Sequence, residues 1–371
     1  MISLRFPSRR FPSLRFLTVG LLAVGVAFVQ TQRASVQEKP AEPTHDMSQM
    51  HQHGGFMQGG MHHAVATGVS LDAKLDVAAH TVTLRVGPMN LPANTDHMKM
   101  PQPPDQIWQI PFDGWLLAYH PRMIDANGNA IPGIVLHHTA FWNENRADFL
   151  CPNKEEHIFG AGSEMTDWRE VPGYGYRVQK DDKIRIETMI YNPTATSYEN
   201  VYLEVVIPFQ DAAQTATPRK NVYPAWMDAK SCENSSYDVP AGTSEKTGSV
   251  TVKYDGVLLG VGGHLHDYGK QIVVEDFTRK ETVATLDAKL DEKGHLEAVP
   301  VKLFLQQGGY KFAAGDVLKI SARYDNPTGK LLREGAMGIA VGYFVPSDDA
   351  QMTALRRKAP MHDMAGMTHE H

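Results

Sequence analysis

Apolar and polar residues alternate along much of this chain. Val82, Leu84 and Val86 are interleaved with Thr81, Thr83 and Arg85, and Ile184, Ile186 and Ile190 keep one phase further on. Residues 201–207, 250–252, 301–305 and 317–320 are short apolar-rich runs of the same kind. A period of two puts alternate side chains on opposite faces of an extended strand. Asn127-Gly128, Pro132-Gly133, Pro172-Gly173 and Asp255-Gly256 separate the runs as turns. No long stretch carries the period of a helix. Many short strands punctuated by Gly and Pro predict an all-β protein built of sandwiches. Residues 186–194 (IETMIYNPT) and 320–328 (ISARYDNPT) are alike, each ending a strand in an Asn-Pro turn. Two related sandwiches in tandem account for this, with a boundary in the Ala-, Thr- and Gln-rich residues 211–219.

Length agrees, since 371 residues suit two domains with tails. The expected division is 65–212 for the first sandwich and 213–346 for the second. Residues 1–36 form an export signal or N-terminal anchor: Arg5, Arg9, Arg10 and Arg15 precede an apolar segment, 16–29, with no acid between them. The small residues Gly25 and Ala27 lie inside that segment, so an uncleaved anchor stays open. The expected location is periplasmic or secreted, with a membrane involved only if the anchor is kept. A net charge of −6 gives no sign of a nucleic-acid partner. Cys151 and Cys232 have two readings: a disulfide formed in an oxidising compartment, or two buried thiols.

The flanks change the chemistry in view. Residues 37–64 are flexible and carry His45, Met47, Met50, His51, His53, Met57, Met61, His62 and His63. The tail, 347–371, repeats the bias with Met361, His362, Met364, Met367, His369 and His371. Thioether and imidazole together suit Cu(I). Within the folded part, His264 and His266 are two apart on a strand and can aim two imidazoles at one point. The glycines beside them, Gly262 and Gly263, fit close backbone approach. His137 and His138 are adjacent, and adjacent ligands to one metal need a strand end or a bulge. On spacing alone, one of that pair packs in a core and the other is surface. His80, His97, His120, His157 and His295 have no motif support and read as surface or core residues.

Taken in order, His137-His138, residues 159–164 (FGAGSE), 172–178 (PGYGYRV), Tyr191-Asn192-Pro193, His264-x-His266 and Glu334-Gly335-Ala336-Met337 carry a resemblance. The order resembles the copper type II, ascorbate-dependent monooxygenases, which include peptidylglycine α-hydroxylating monooxygenase and dopamine β-monooxygenase. Residues 125–132 and 335–338 are similar to the stress-up-regulated nodulin family. The likeness covers roughly residues 108–344. It implies two jelly-roll-like sandwiches with one copper in each, facing across a cleft. It implies His264, His266 and Met337 as ligands of the O2-activating copper, and His137 and His138 as ligands of an electron-transfer copper. The third position of that second set falls on Met189 where the family has His. The family's peptide carboxylate site matches Gly262, Gly263, Gly338, Ile339 and Val341 here, and none of these pairs with a carboxylate.

Two functions follow. One is a copper monooxygenase acting on a small organic substrate, with one or two copper ions and an external reductant such as ascorbate. The other is copper storage or delivery on the same fold, working with a copper-delivery partner. A third reading, a structural or lost metal, sits poorly with the complete His264, His266 and Met337 set.

Overall fold

In the computed structural model, residues 64–164 and 167–357 are described. The expected export signal and every His and Met named in the two tails lie outside these residues. Among the described residues the regular structure is strand apart from short 3-10 helices, as the alternation predicts.

Three sheets carry the architecture. A four-stranded sheet orders Gln106–Gln109, Lys183–Ile190, Leu136–Ala147 and Glu155–Gly162. A second four-stranded sheet orders Gly242–Thr251, Val317–Asn326, Gly269–Asp276 and Glu281–Asp287. The third sheet has eleven strands and runs through both halves of the chain. It passes from one half to the other where Tyr174–Val178 pairs in parallel with Lys220–Asp228, which then pairs with Gly338–Pro346. The two halves are therefore joined by a continuous backbone ladder.

Two apolar cores result. Leu84, Phe141, Phe159, Ile186 and Leu203 belong to the first, and Val250, Leu258, Ile272, Ile320 and Phe344 to the second. Two segments pack across the expected boundaries. Ala147, Phe149, Leu150 and Cys151 come from the first half of the chain but pack in the second core. The second unit does not stop at residue 346: a 3-10 helix, Asp349–Leu355, buries Met352 and Leu355 against it. Sequence periodicity missed that helix because one short turn with two buried residues has too few apolar positions to show a period.

The repeated Asn-Pro motifs form the same clasp twice. Asn192 Oδ1 accepts from Thr194 N (3.0 Å) and Oγ1 (2.8 Å), and Asn326 Oδ1 accepts from Thr328 N (3.0 Å) and Oγ1 (2.6 Å). Each Asn Nδ2 donates to the carbonyl four residues on, Thr196 or Lys330, and across to a distant strand, at Leu91 or Pro240. Both asparagines are buried with their amide groups satisfied, which is the condition for tolerating a polar side chain there.

Cys151 and Cys232 form a disulfide, with Cα atoms 5.6 Å apart. It fastens the displaced 147–151 segment to the second core across a sequence separation of 81. Closing a loop of that length restricts the unfolded chain by about 4 kcal/mol in the chain-entropy model. The Cys151→Ala/Cys232→Ala double variant should lose roughly that much stability, read as a lower urea midpoint. A midpoint unchanged from wild type would show that the bridge adds nothing.

Candidate metal centre

The first histidine pair stands at the start of the Leu136–Ala147 strand. Leu136 pairs with Ile190 and His138 with Met189, so two steps on one strand face one step on the other. His137 is the extra residue of that bulge. A bulge breaks strict alternation, and it lets two consecutive imidazoles lie near each other, with ring centres 5.2 Å apart.

The second pair sits where the chain changes sheets. His264 is in Gly256–Leu265, opposite Ile339, while His266 lies just past the strand end. Tyr268, at φ 67°, turns the chain into Gly269–Asp276 of the other sheet. Gly263 shows why no side chain is accepted here: a Cβ would come within 2.5 Å of Ile272 Cδ1 and 2.9 Å of the Ile339 carbonyl.

The two pairs meet. His137 lies 5.1 Å from His266, and His266 lies 5.2 Å from His264, ring centre to ring centre. Neighbouring rings thus run His138, His137, His266, His264, a row drawn from both halves of the chain whose end members also lie within electrostatic reach of each other. Two imidazoles sharing a metal at about 2 Å and a tetrahedral angle have ring centres about 5 Å apart, so each neighbouring spacing suits a shared ion. Among the described residues, no three His, Cys, Asp or Glu side chains already gather around one point. Imidazole pairs of this spacing, joined by a thioether, make a donor combination that soft Cu(I) accepts.

The ring orientations support this. His264 Nδ1 is 3.0 Å from Glu164 Oε1, and the His266 ring hydrogen-bonds to the Gly335 backbone. The Nε2 atoms of both rings are buried and have no hydrogen-bond partner. An imidazole held through one nitrogen, with the other left for the metal, is the usual arrangement of metal-binding histidine. Tyr324 adds a brace: its hydroxyl accepts from His266 N (2.9 Å) and donates to the Met337 carbonyl.

Met337 is buried at the junction between Leu332–Ala336 and Gly338–Pro346 and belongs to neither apolar core. Met189 is likewise buried and outside both cores. Paired opposite His138, it shares that residue's side of the sheet. The strand face of Met189 also carries Arg185 and Glu187, a pattern that reads in sequence as a cleft or metal face rather than a closed apolar core, and the structure buries it. The Arg185 guanidinium is surrounded by Glu155 (2.7 Å), Asp105 (3.3 Å), Glu187 (3.4 Å) and Glu144 (3.6 Å), and this pairing makes burial tolerable.

Three residues near the row had little signal of their own. His97, in His97-Met98-Lys99-Met100, reads as an exposed loop among prolines or as a further copper-binding loop, and its ring stacks on His137 at 4.6 Å and 6°. Glu164 closes the 159–164 motif without any spacing that ties it to His264, 100 residues away. Tyr324 reads as one more apolar position on a strand. Long-range pairing placed all three. By contrast, His120 and His295 each pair with a nearby aspartate, Asp167 and Asp291. His157 stacks between Trp142 and Trp226 in the interior.

A cavity of about 590 Å³ opens beside the row. His138, Glu164, His264 and Met337 line it together with apolar residues from both halves.

No family model matches the chain. Over 235 residues it is 26% identical to a protein named probable copper-dependent oxygenase M1 from Phoma sp., covering 57% of this chain and 58% of that protein. Over 237 residues it is 23% identical to one named probable copper-dependent oxygenase clz3 from Cochliobolus lunatus, covering 57% and 72%. The chain thus spans just over half the length of the first.

Burial keeps His137, His138 and His266 neutral. Desolvation, and then the neighbouring imidazoles, hold the His137 and His266 pKa values well below that of free histidine, and the same causes bring His138 down to about 3. In the unfolded chain these rings take a proton near pH 6.5. Between about pH 6.5 and 3 the unfolded state therefore binds more protons, and stability falls as pH drops through that window. Asp148, pushed up to about 7 by burial, acts with the opposite sign, so a comparison of variants is needed. In metal-free protein, His138→Ala should flatten the fall in stability from pH 6.5 to 4, measured by urea unfolding. An identical slope would show that His138 is not buried neutral.

Proposed function

We propose that this chain is an exported copper-dependent oxygenase of the ascorbate-dependent monooxygenase kind, acting on a small organic substrate. The observation that carries the reading is the pair of buried, unpartnered Nε2 atoms of His264 and His266, each ring held from its other side. The likeness to two proteins named probable copper-dependent oxygenases supports the metal and the reaction class. The Cys151–Cys232 disulfide supports an oxidising compartment.

His264, His266 and Met337 would hold one copper, and His137, His138 and Met189 a second. Copper bound there supplies the one-electron chemistry that lets O2 react with a C–H bond. Overall, R–H, O2, two electrons and two protons become R–OH and water, the electrons coming from an external reductant of the ascorbate class. The protein's own work is positional. Glu164 accepts from His264 Nδ1–H, which fixes the tautomer that leaves Nε2 free for a ligand bond. Burial would raise the Glu164 pKa, but the His264 imidazole and backbone hydrogen bonds outweigh it and hold the carboxyl below its usual value. Tyr324 keeps His266 and Met337 in step. Met337 and Met189 bias both sites toward Cu(I).

Copper storage or delivery is the second reading, favoured by Met189 standing where the family has a third imidazole. Oxygen uptake separates the two. A protein of residues 64–357, loaded with copper, should retain Cu(I) without its tails and consume O2 with ascorbate. Met337→Ala should cut that uptake about tenfold or more, at a stability cost of roughly 2 kcal/mol, the low end for a buried Met. Cu(I) retained with no uptake would favour storage; loss of all copper on trimming would end both readings.

Met189→His offers a separate check. It replaces a thioether, a poor Cu(II) ligand, with imidazole. Cu(II) occupancy in the trimmed protein, followed by electron paramagnetic resonance, should rise. Equal titrations before and after would mean that Met189 does not face the metal.

A further inference from the structure

The cavity beside the histidine row is built from both halves of the chain. Ile339 and Val341 come from the strand after Met337, Val261 from the strand before His264, and Trp226 from the strand that joins the halves. Its volume, about 590 Å³, lies in the range of roughly 300–1,000 Å³ typical of pockets that enclose a small organic molecule. Thr139, His157, Trp226 and Tyr343 contribute neutral polar atoms to the lining, and carboxylates are found at two places. One is the metal end, with His138, Glu164 and His264. The other is residues 167–170, where Arg169, Asp167 and Glu170 have side chains 88%, 47% and 42% exposed and so lie at the mouth. The same mouth exposes Val301, Leu303 and Leu305 to solvent.

The charge inventory decides what can enter. Arg169 is the only Lys or Arg among the lining residues, and it points to water. The buried wall of Leu259, Ile339 and Val341 offers no partner for a carboxylate, phosphate or ammonium. An anion carried inside would lose its hydration and meet no opposite charge, and a cation would meet only Glu164, which His264 already engages. Exposed aliphatic side chains at an entrance have a plain use if the incoming molecule is apolar, because they shield it as it leaves water.

Resting on the copper reading above, we propose that the substrate is an uncharged, largely apolar molecule with an aliphatic or fused-ring carbon skeleton. It is taken whole into this cavity, with the C–H to be attacked at the end lined by His138, His264 and Met337. The exposed strip at Val301, Leu303 and Leu305 is its entry edge.

Two probes that share a skeleton test this on the full chain. N-phenyl-1-naphthylamine is uncharged; 1-anilinonaphthalene-8-sulfonate carries a fixed negative charge. Energy transfer from tryptophan reports binding, since Trp168 and Trp226 line the cavity. The uncharged probe should saturate at one equivalent and bind about tenfold or more tightly than the sulfonate. Val341→Trp, which fills the cavity, should abolish that binding. Leu303→Glu, at a position 62% exposed, should weaken it several-fold and decides the matter if the first variant fails to fold. Equal affinity for the two probes, or no effect of either variant, overturns the inference. Cu(I) content is measured on the same samples by chelator competition. Copper retained without probe binding sinks the apolar-substrate inference alone. Probe binding without copper sinks the metal reading and leaves the ligand class standing.

Discussion

A backbone ladder ties the strand of the second histidine pair to the first half of the chain. Tyr174–Val178 and Lys220–Asp228 belong to the same eleven-stranded sheet, and so do Gly338–Pro346 and Gly256–Leu265. Hydrogen-bonded strands do not slide without breaking several bonds together. His264, fixed in that sheet opposite Ile339, therefore cannot drift from the first half of the chain as a domain on a free linker would. His137, His138 and His266 share a buried seam, and burial keeps them neutral. Glu164, just past the Glu155–Gly162 edge strand of the first four-stranded sheet, reaches His264 across 100 residues of sequence.

The polar groups behind the row obey the same accounting. Arg185 is tolerable in the interior because carboxylates on neighbouring strands surround it. The Asn192 and Asn326 amides are tolerable because every lone pair and N–H that faces inward has a partner. The Nε2 atoms of His264 and His266 are buried without a hydrogen-bond partner, and His264 lines the cavity.

The sequence shows much of this, for reasons that can be named. Alternation announced the strands because each has one buried and one solvated face. The Asn-Pro repeat announced two related halves because the clasp needs Asn and Thr at fixed spacing. His264-x-His266 was readable because a strand repeats every second residue. His137-His138 was only half readable: adjacency demands an irregularity, but nothing local says that His137 is the residue bulged out. Glu164 and Tyr324 were not readable as site residues at all, and His97 only as one of two alternatives. Each acts through a partner brought in by strand pairing, and pairing partners leave no periodic trace. Met189 was half readable for a related reason. Its charged neighbours suggest a cleft or metal face, and only the carboxylates on other strands reveal that it is buried.

The bulge at His137 bears on how relatives of this chain should be compared. Upstream and downstream of it the strand is out of phase by one residue, because a single inserted residue swaps the faces of everything beyond. A relative lacking the bulge would present one imidazole where this chain presents two, and its following residues would face the opposite way for the same spacing. The dipeptide and the irregularity must therefore be inherited together. Between chains that differ here, the gap belongs at position 137 rather than in the turn before it.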